Sequence, residues 1–307
     1  MEPIHEPVLL NEAIDVLDPS RGGIFVDSTV GLGGHARAIL EAGATRLLGL
    51  DRDQSALDIA AQKLTPWQDR VELIHADYRE LPTVLAARGI GGIDGVLADL
   101  GVSSMQFDAP GRGFSFRRDE PLDMRMDRTT GAPVGERLDD VDETELADVI
   151  YRFGEERRSR QVARAIVKAR ESAPIRTTGG LAEIVRHAVG ARTWQRIDPA
   201  TRTFQALRIW VNEELDGLAE FIGAAARRLS PAGRLAMIAF HSLEDRIVKH
   251  TLRDLARGDE AIVTLLTKHP VIATDEEVAG NPRARSAKLR AAVRMSRLSS
   301  LASDGDA

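Results

Sequence analysis

Along the first hundred positions, short apolar runs alternate with helical patterns. Phe25 and Val26 run into Asp27, and three glycines, Gly31, Gly33 and Gly34, then crowd a turn before a helix from about Ala36 to Glu41. A second strand ends at Asp51, and Ser55–Leu64 carries apolar residues at helical spacing until Pro66 stops it. Val71–Ala76 alternates as a third strand ending before Asp77 and Tyr78, a short helix follows near Thr83–Ala87, and Ile93–Leu100 reads as a fourth strand. Upstream, Asn11 is placed to cap a helix running to Leu17. This repetition of β and α segments predicts an α/β fold with a parallel sheet.

The repetition then breaks. Gly101–Arg128 is rich in glycine, proline and charge and is long for a plain connection. Helical patterns follow from Asp142, with Asp142 and Glu145 spaced as a capping box, and continue through Gln161–Glu171 and Leu181–Val189. Thr203–Leu229 reads as one long amphipathic helix, SPAG at Ser230–Gly233 closes it, and Arg234–Phe240 is an apolar strand. The α/β pattern therefore resumes after an interruption. The expected organisation is a discontinuous sheet domain, 1–105 with 200–307, and an inserted helical subdomain, 106–199.

The glycine-rich turn is the first sign of chemistry. Glycines let backbone approach a ligand closely, and a helix N-terminus behind them offers free N–H groups. Gly31, Gly33 and Ala36 satisfy a dinucleotide fingerprint, whereas Asp27–Gly33 satisfies the DxxxGxG pattern of methyl-donor sites. Asp51, at the end of the next strand, suits ribose hydroxyls in either case. Dinucleotide and S-adenosylmethionine both remain open on this stretch alone.

Composition removes several classes. With no cysteine there is no disulfide, no cysteine-ligated metal and no cysteine nucleophile, so the usual covalent route to pyrimidine C5 is closed. No run of about 18 apolar residues suggests a membrane span, and the acidic N-terminus lacks a signal-like basic region, so a cytoplasmic chain with no membrane partner is expected. The net charge of -6 argues against a uniformly basic binder, but the charge is uneven. Arg152–Arg208 holds 13 Lys/Arg against 5 Asp/Glu, and Asn281–Ser303 has six Lys/Arg and no acid. Local basic zones are what phosphate contacts require, although solvated helix faces look the same.

Strand ends converge in such a fold, so Asp27, Asp51, Asp77 with Tyr78, Asp99 and His241 should ring one crevice. Asp99 suits contact with a donor's amino end or with a target amine. His241, Glu244 and Asp245 suggest acid–base work, but the other histidines are scattered in sequence and no metal is expected. No GxSxG elbow supports a serine hydrolase.

Longer blocks carry more specific information. HEPVLL from His5, the Asp27–His35 turn, DLGVSSMQFD from Asp99, RGFSF from Arg112, PLDMRMD from Pro121, FGEER from Phe153, PATRTFQALRIWVNEEL from Pro199, FHSLEDR from Phe240 and NPRARSAKLRA from Asn281 occur in order. Together they resemble the bacterial methyltransferases that modify cytosine N4 in 16S small-subunit ribosomal RNA. The resemblance implies a Rossmann-like class I methyltransferase sheet binding S-adenosylmethionine through Gly33, Gly34, His35, Asp51, Tyr78, Asp99 and Gln106. It also implies that the insert faces RNA; Arg202 and Arg208, just beyond the insert, are candidate RNA contacts, and Asp99, His241 and Asp245 are candidate catalytic acceptors for the target amine, a role the resemblance does not settle. Tyr78 stands where the family often has Phe, Asp198 where His commonly precedes PATR, and Ala239 and Ala284 at positions frequently occupied by Ser.

Overall fold

The computed structural model describes residues 7–103, 106–107, 109–190 and 198–296. His5, Glu6, Ser104, Met105 and Asp108 of the blocks above lie outside them, as does the end of the basic stretch from 297 on. The chain divides into two compact units, one formed by Val102–Leu215 and the other by the residues on either side.

The flanking unit is built on a seven-stranded sheet. Its strands are β1 (Ile24–Asp27), β2 (Arg46–Asp51), β3 (Val71–His75), β4 (Ile93–Asp99), β5 (Leu229–Ala239), β6 (Val263–Leu265) and β7 (Lys288–Arg294), in the order β3-β2-β1-β4-β5-β7-β6. The first five are parallel, and β7 runs antiparallel to both β5 and β6. The order reverses between β1 and β4, which is where doubly wound sheets open a ligand crevice. This is the Rossmann-like α/β sheet the repetition predicted.

Alternation along the strands explains why both faces are covered. Val26, Leu48, Val96, Leu235 and Met237 enter one apolar layer, and their neighbours Phe25, Leu47, Leu97, Ala236 and Ile238 enter the other. Helices α1 (Leu10–Leu17), α2 (Gly34–Glu41) and α3 (Gln54–Lys63) close the second layer, while α4 (Leu81–Ala87), α10 (Leu218–Arg228) and α11 (Ser242–Leu255) close the first. Truncating one such fully buried leucine to alanine costs about 2–5 kcal/mol.

The helical unit holds α5 (Val134–Asp140), α6 (Glu143–Gly154), α7 (Ser159–Arg170), α8 (Thr178–Val189) and α9 (Ala200–Asn212) around a core of Leu146, Ile150, Val162, Ile166, Leu181, Val185 and Leu207. Asp142 caps α6 by accepting from the N–H groups of Thr144 and Glu145.

The structure differs from the sequence expectation at several points. The long helix read over Thr203–Leu229 is two, α9 and α10, interrupted where Glu213 and Gly217 take left-handed backbone. The buried face of α9, including Phe204 and Leu207, belongs to the helical core, so that unit extends to Leu215 where the sequence pattern suggested an end at 199. Asn11 sits inside α1; Leu9 is the N-cap, and its backbone N–H donates to Glu277 Oε1 over 2.7 Å. The basic C-terminal region contains β7, whose alternating buried Leu289, Ala291 and Ala292 are masked in sequence by the charges between them.

Candidate functional site

The carboxyl ends of β1, β2, β4 and β5 share one rim of the sheet, and the turn after β1 is tied to its neighbours by backbone bonds. Ser28 N–H donates to Leu97 O over 2.8 Å and Val30 N–H donates to Leu50 O over 2.8 Å. The Thr29 hydroxyl accepts from Asp99 N–H over 2.7 Å. Gly33, at φ +77°, is the N-cap of α2, a backbone conformation that glycine adopts without steric cost. A Cβ on Gly34 would run into the Pro7 ring, so the backbone is as close to its surroundings as it can be.

Asp51 holds this turn from β2. Its Oδ2 accepts from Gly31 N–H at 2.8 Å and its Oδ1 from Asp53 N–H at 2.9 Å. Burial pushes its carboxyl up to about pKa 6 despite those bonds. Asp27, 1% exposed, accepts from Thr29 N–H at 3.2 Å through Oδ1, while its Oδ2 is buried and accepts no hydrogen bond of good geometry among the described residues, the Ala36 N–H only opposing the effect of burial on its pKa. Burial raises Asp27 to about pKa 7, with the Asp51 charge adding to the effect.

Asp99 completes the set. Its Oδ1 is buried and unpartnered, and its Oδ2 lies 3.7 Å from His35 Nδ1. Burial, then the charges of Asp27 and Glu244, hold its carboxyl well above the usual range. The His35 ring is itself buried and its Nε2 sits 3.1 Å from Val8 O, a contact that needs the proton on Nε2.

From β5, His241 is the N-cap of α11. Its Nδ1 accepts from Glu244 N–H at 3.4 Å, and its Nε2 lies 3.0 Å from Glu244 Oε1. Glu244 is 2% exposed, and its Oε2 accepts from Phe240 N–H at 2.8 Å. The sequence offered Asp245 from this segment, yet Asp245 is bound by Arg290 at 2.7 Å and by Lys288 at 3.2 Å, and these cations hold its pKa down against burial. Glu244 is the acid whose charge reaches Asp99. Both acids stand in the first turn of α11, and packing, which the sequence does not show, decides which of them turns inward.

Tyr78 follows β3 and packs on Phe221, with ring centroids 4.7 Å apart. Asp77 beside it is committed to Arg79 at 2.9 Å and Arg52 at 3.6 Å. Gln106 belongs to the helical unit, where its Oε1 accepts from Ser103 N–H at 3.0 Å. Arg208 is in the same unit in a two-pronged pair with Glu214, at 2.8 and 2.7 Å, the side chains being only 13% and 6% exposed. Arg202 is open to solvent and lies 3.7 Å from Glu156.

Two buried carboxylate oxygens without donors, Asp27 Oδ2 and Asp99 Oδ1, thus stand beside a glycine turn that carries a helix N-terminus. Orphaned acceptors of this kind cost free energy unless a donor-bearing, preferably cationic, group meets them. S-adenosylmethionine, with an ammonium, a sulfonium and ribose hydroxyls, fits that donor requirement and the adjacent Asp51.

Comparison with known proteins agrees in class. The sequence profile described as the MraW methylase family matches residues 2–295. A protein from Sorangium cellulosum named Ribosomal RNA small subunit methyltransferase H is 52% identical over 298 residues, covering 97% of this chain and 93% of its own. Proteins of the same name from Rhodopseudomonas palustris and Deinococcus radiodurans are 51% and 50% identical, over 94% of this chain and 90% and 89% of theirs.

Proposed function

The chain belongs to the MraW methylase family, and from that membership we propose that it uses S-adenosylmethionine to methylate the exocyclic N4 of a cytidine in 16S ribosomal RNA of the small subunit. The observation that carries this reading is the pair of orphaned acceptors at Asp27 and Asp99 beside the glycine turn. The approximately 50% identical relatives, named for the small-subunit RNA, support the substrate. A chain with this activity works in the cytoplasm, and no helix among the described residues is long and apolar enough to cross a membrane.

When bound, the donor supplies an electrophilic methyl on a sulfonium. Asp51 and the backbone of Gly33, Gly34 and His35 would hold its nucleoside, with Tyr78 at the adenine. Asp27 and Asp99 would face its cationic end, which favours their ionised forms. Asp99 Oδ1 accepts an N–H of the target amine and fixes its lone pair for in-line attack, a positioning task more than a strong-base one. The proton that the amine must lose passes to Asp99, which can accept it in the ionised form that a neighbouring cation favours. His241 holds Glu244, and Glu244 in turn raises Asp99.

Transfer of tritium from labelled donor to small subunits of a strain lacking the enzyme, followed by mass mapping of the RNA nucleosides, tests the proposal. The expected product is N4-methylcytidine. Label elsewhere, or none, refutes it.

A further inference from the structure

The helical unit commits most of its arginines to partners inside itself. Arg125 and Arg128 hold Asp123, Arg176 holds Asp139, Arg186 holds Asp198 and Arg208 holds Glu214. Apart from the isolated exposed Arg117 and Arg152, one short segment breaks that pattern. Arg157, Arg160 and Lys168 are exposed and take part in no ion pair among the described residues, and Arg164, also exposed, meets only a solvent-open Glu143 at 3.3 Å.

Helix geometry aligns them. Arg160, Arg164 and Lys168 recur every fourth residue on α7, so they lie along one side about 6 Å apart. That side is opposite the buried Val162, Ala163 and Ile166, and Arg157 stands just before the first turn. Exposed cations held in a row, only one of them with an acid nearby, repel one another unless a polyanion runs alongside.

We propose that this side of α7 is the surface on which the enzyme seats the phosphate backbone of its RNA, resting on the RNA-methylating reading above. Its contacts fix the register of the substrate and supply no base specificity. Catalytic groups lie on the sheet unit, so the ridge acts on substrate capture and leaves the chemical step alone.

The test replaces Arg160, Arg164 and Lys168 together by Gln, alongside a control that removes three charges from the sheet unit at exposed Arg227, Arg257 and Lys268. Methyl transfer to small subunits is measured across salt concentrations, and S-adenosylhomocysteine affinity is measured by calorimetry. The α7 variant should raise KM for subunits at least tenfold, leave kcat and S-adenosylhomocysteine affinity within twofold, and lower the slope of log KM on log salt by about 2–3 units. The control should match wild type. An unchanged KM and slope in the α7 variant, or an equal loss in the control, overturns the ridge. Failure of the wild-type enzyme to methylate subunits at all would instead overturn the reading on which the ridge rests.

Discussion

The cation-paired carboxylates of the helical unit and three rim acids of the sheet unit are treated in opposite ways. In the helical unit Asp123 sits between Arg125 and Arg128, and Asp198 accepts from Arg186 and from Ala200 N–H; in both cases the cation holds the carboxyl below its usual pKa against the effect of burial. On the rim of the sheet unit, Asp27, Asp51 and Asp99 are raised, and none of the three carries an arginine or lysine pair. A paired buried charge holds a fold together, whereas an unpaired one costs stability and is retained where a ligand completes it. The difference separates scaffold from site without reference to any relative.

The sharpest way to break that comparison is to remove an acid of each kind. Asp99→Ala, verified as folded by circular dichroism, should lose about 10²–10⁴ in kcat/KM for small subunits, the range for a positioned proton acceptor. Wild-type turnover would place Asp99 among the scaffold charges. Arg208→Gln should do the reverse: it leaves Glu214 buried without its partner and should cost about 3 kcal/mol in denaturant unfolding. A stability within about 0.5 kcal/mol of wild type, the scatter of surface substitutions, would show that the pair is not structural.

Asp27 sharpens the comparison through pH. Its folded carboxyl, at about pKa 7, keeps a proton that the unfolded chain releases near pH 4. Between those values the folded state binds more protons, so stability falls as pH rises. Asp27→Asn should therefore flatten the decline of Tm between pH 4 and 7 and be the more stable protein at pH 8, by about 2 kcal/mol. An identical pH profile in the variant would mean that the site carries no such strain.

The smallest effect concerns Asp245, which the sequence offered as catalytic and which lies in an ion pair with Arg290 and Lys288. Asp245→Asn should lower stability by about 1 kcal/mol with kcat unchanged. A hundredfold fall in kcat would return it to the site.

Much of this was legible in the chain. Strand ends at Asp27, Asp51 and Asp99 follow from apolar runs that stop at an acid, and the glycine turn follows from residues whose spacing has no other common use. The N-cap at Leu9 was not legible, because the partner of its N–H is Glu277, 268 residues away. The split between α9 and α10 was hidden because Glu213 adopts left-handed backbone without being glycine or asparagine. Nor could sequence separate Glu244 from Asp245, or Arg208 from the open arginines of α7, since which carboxylate an arginine meets is decided by packing.

The claim that the rim acids await a cationic donor is tested most directly by calorimetric titration of S-adenosylmethionine at pH 6 in buffers of differing ionisation enthalpy. A cation placed against Asp27 and Asp99 favours their ionised forms, so binding should release protons in the wild type, release fewer in Asp27→Asn, and weaken at least tenfold in Asp99→Asn. Equal affinity in all three proteins, with a binding enthalpy independent of buffer, would contradict it.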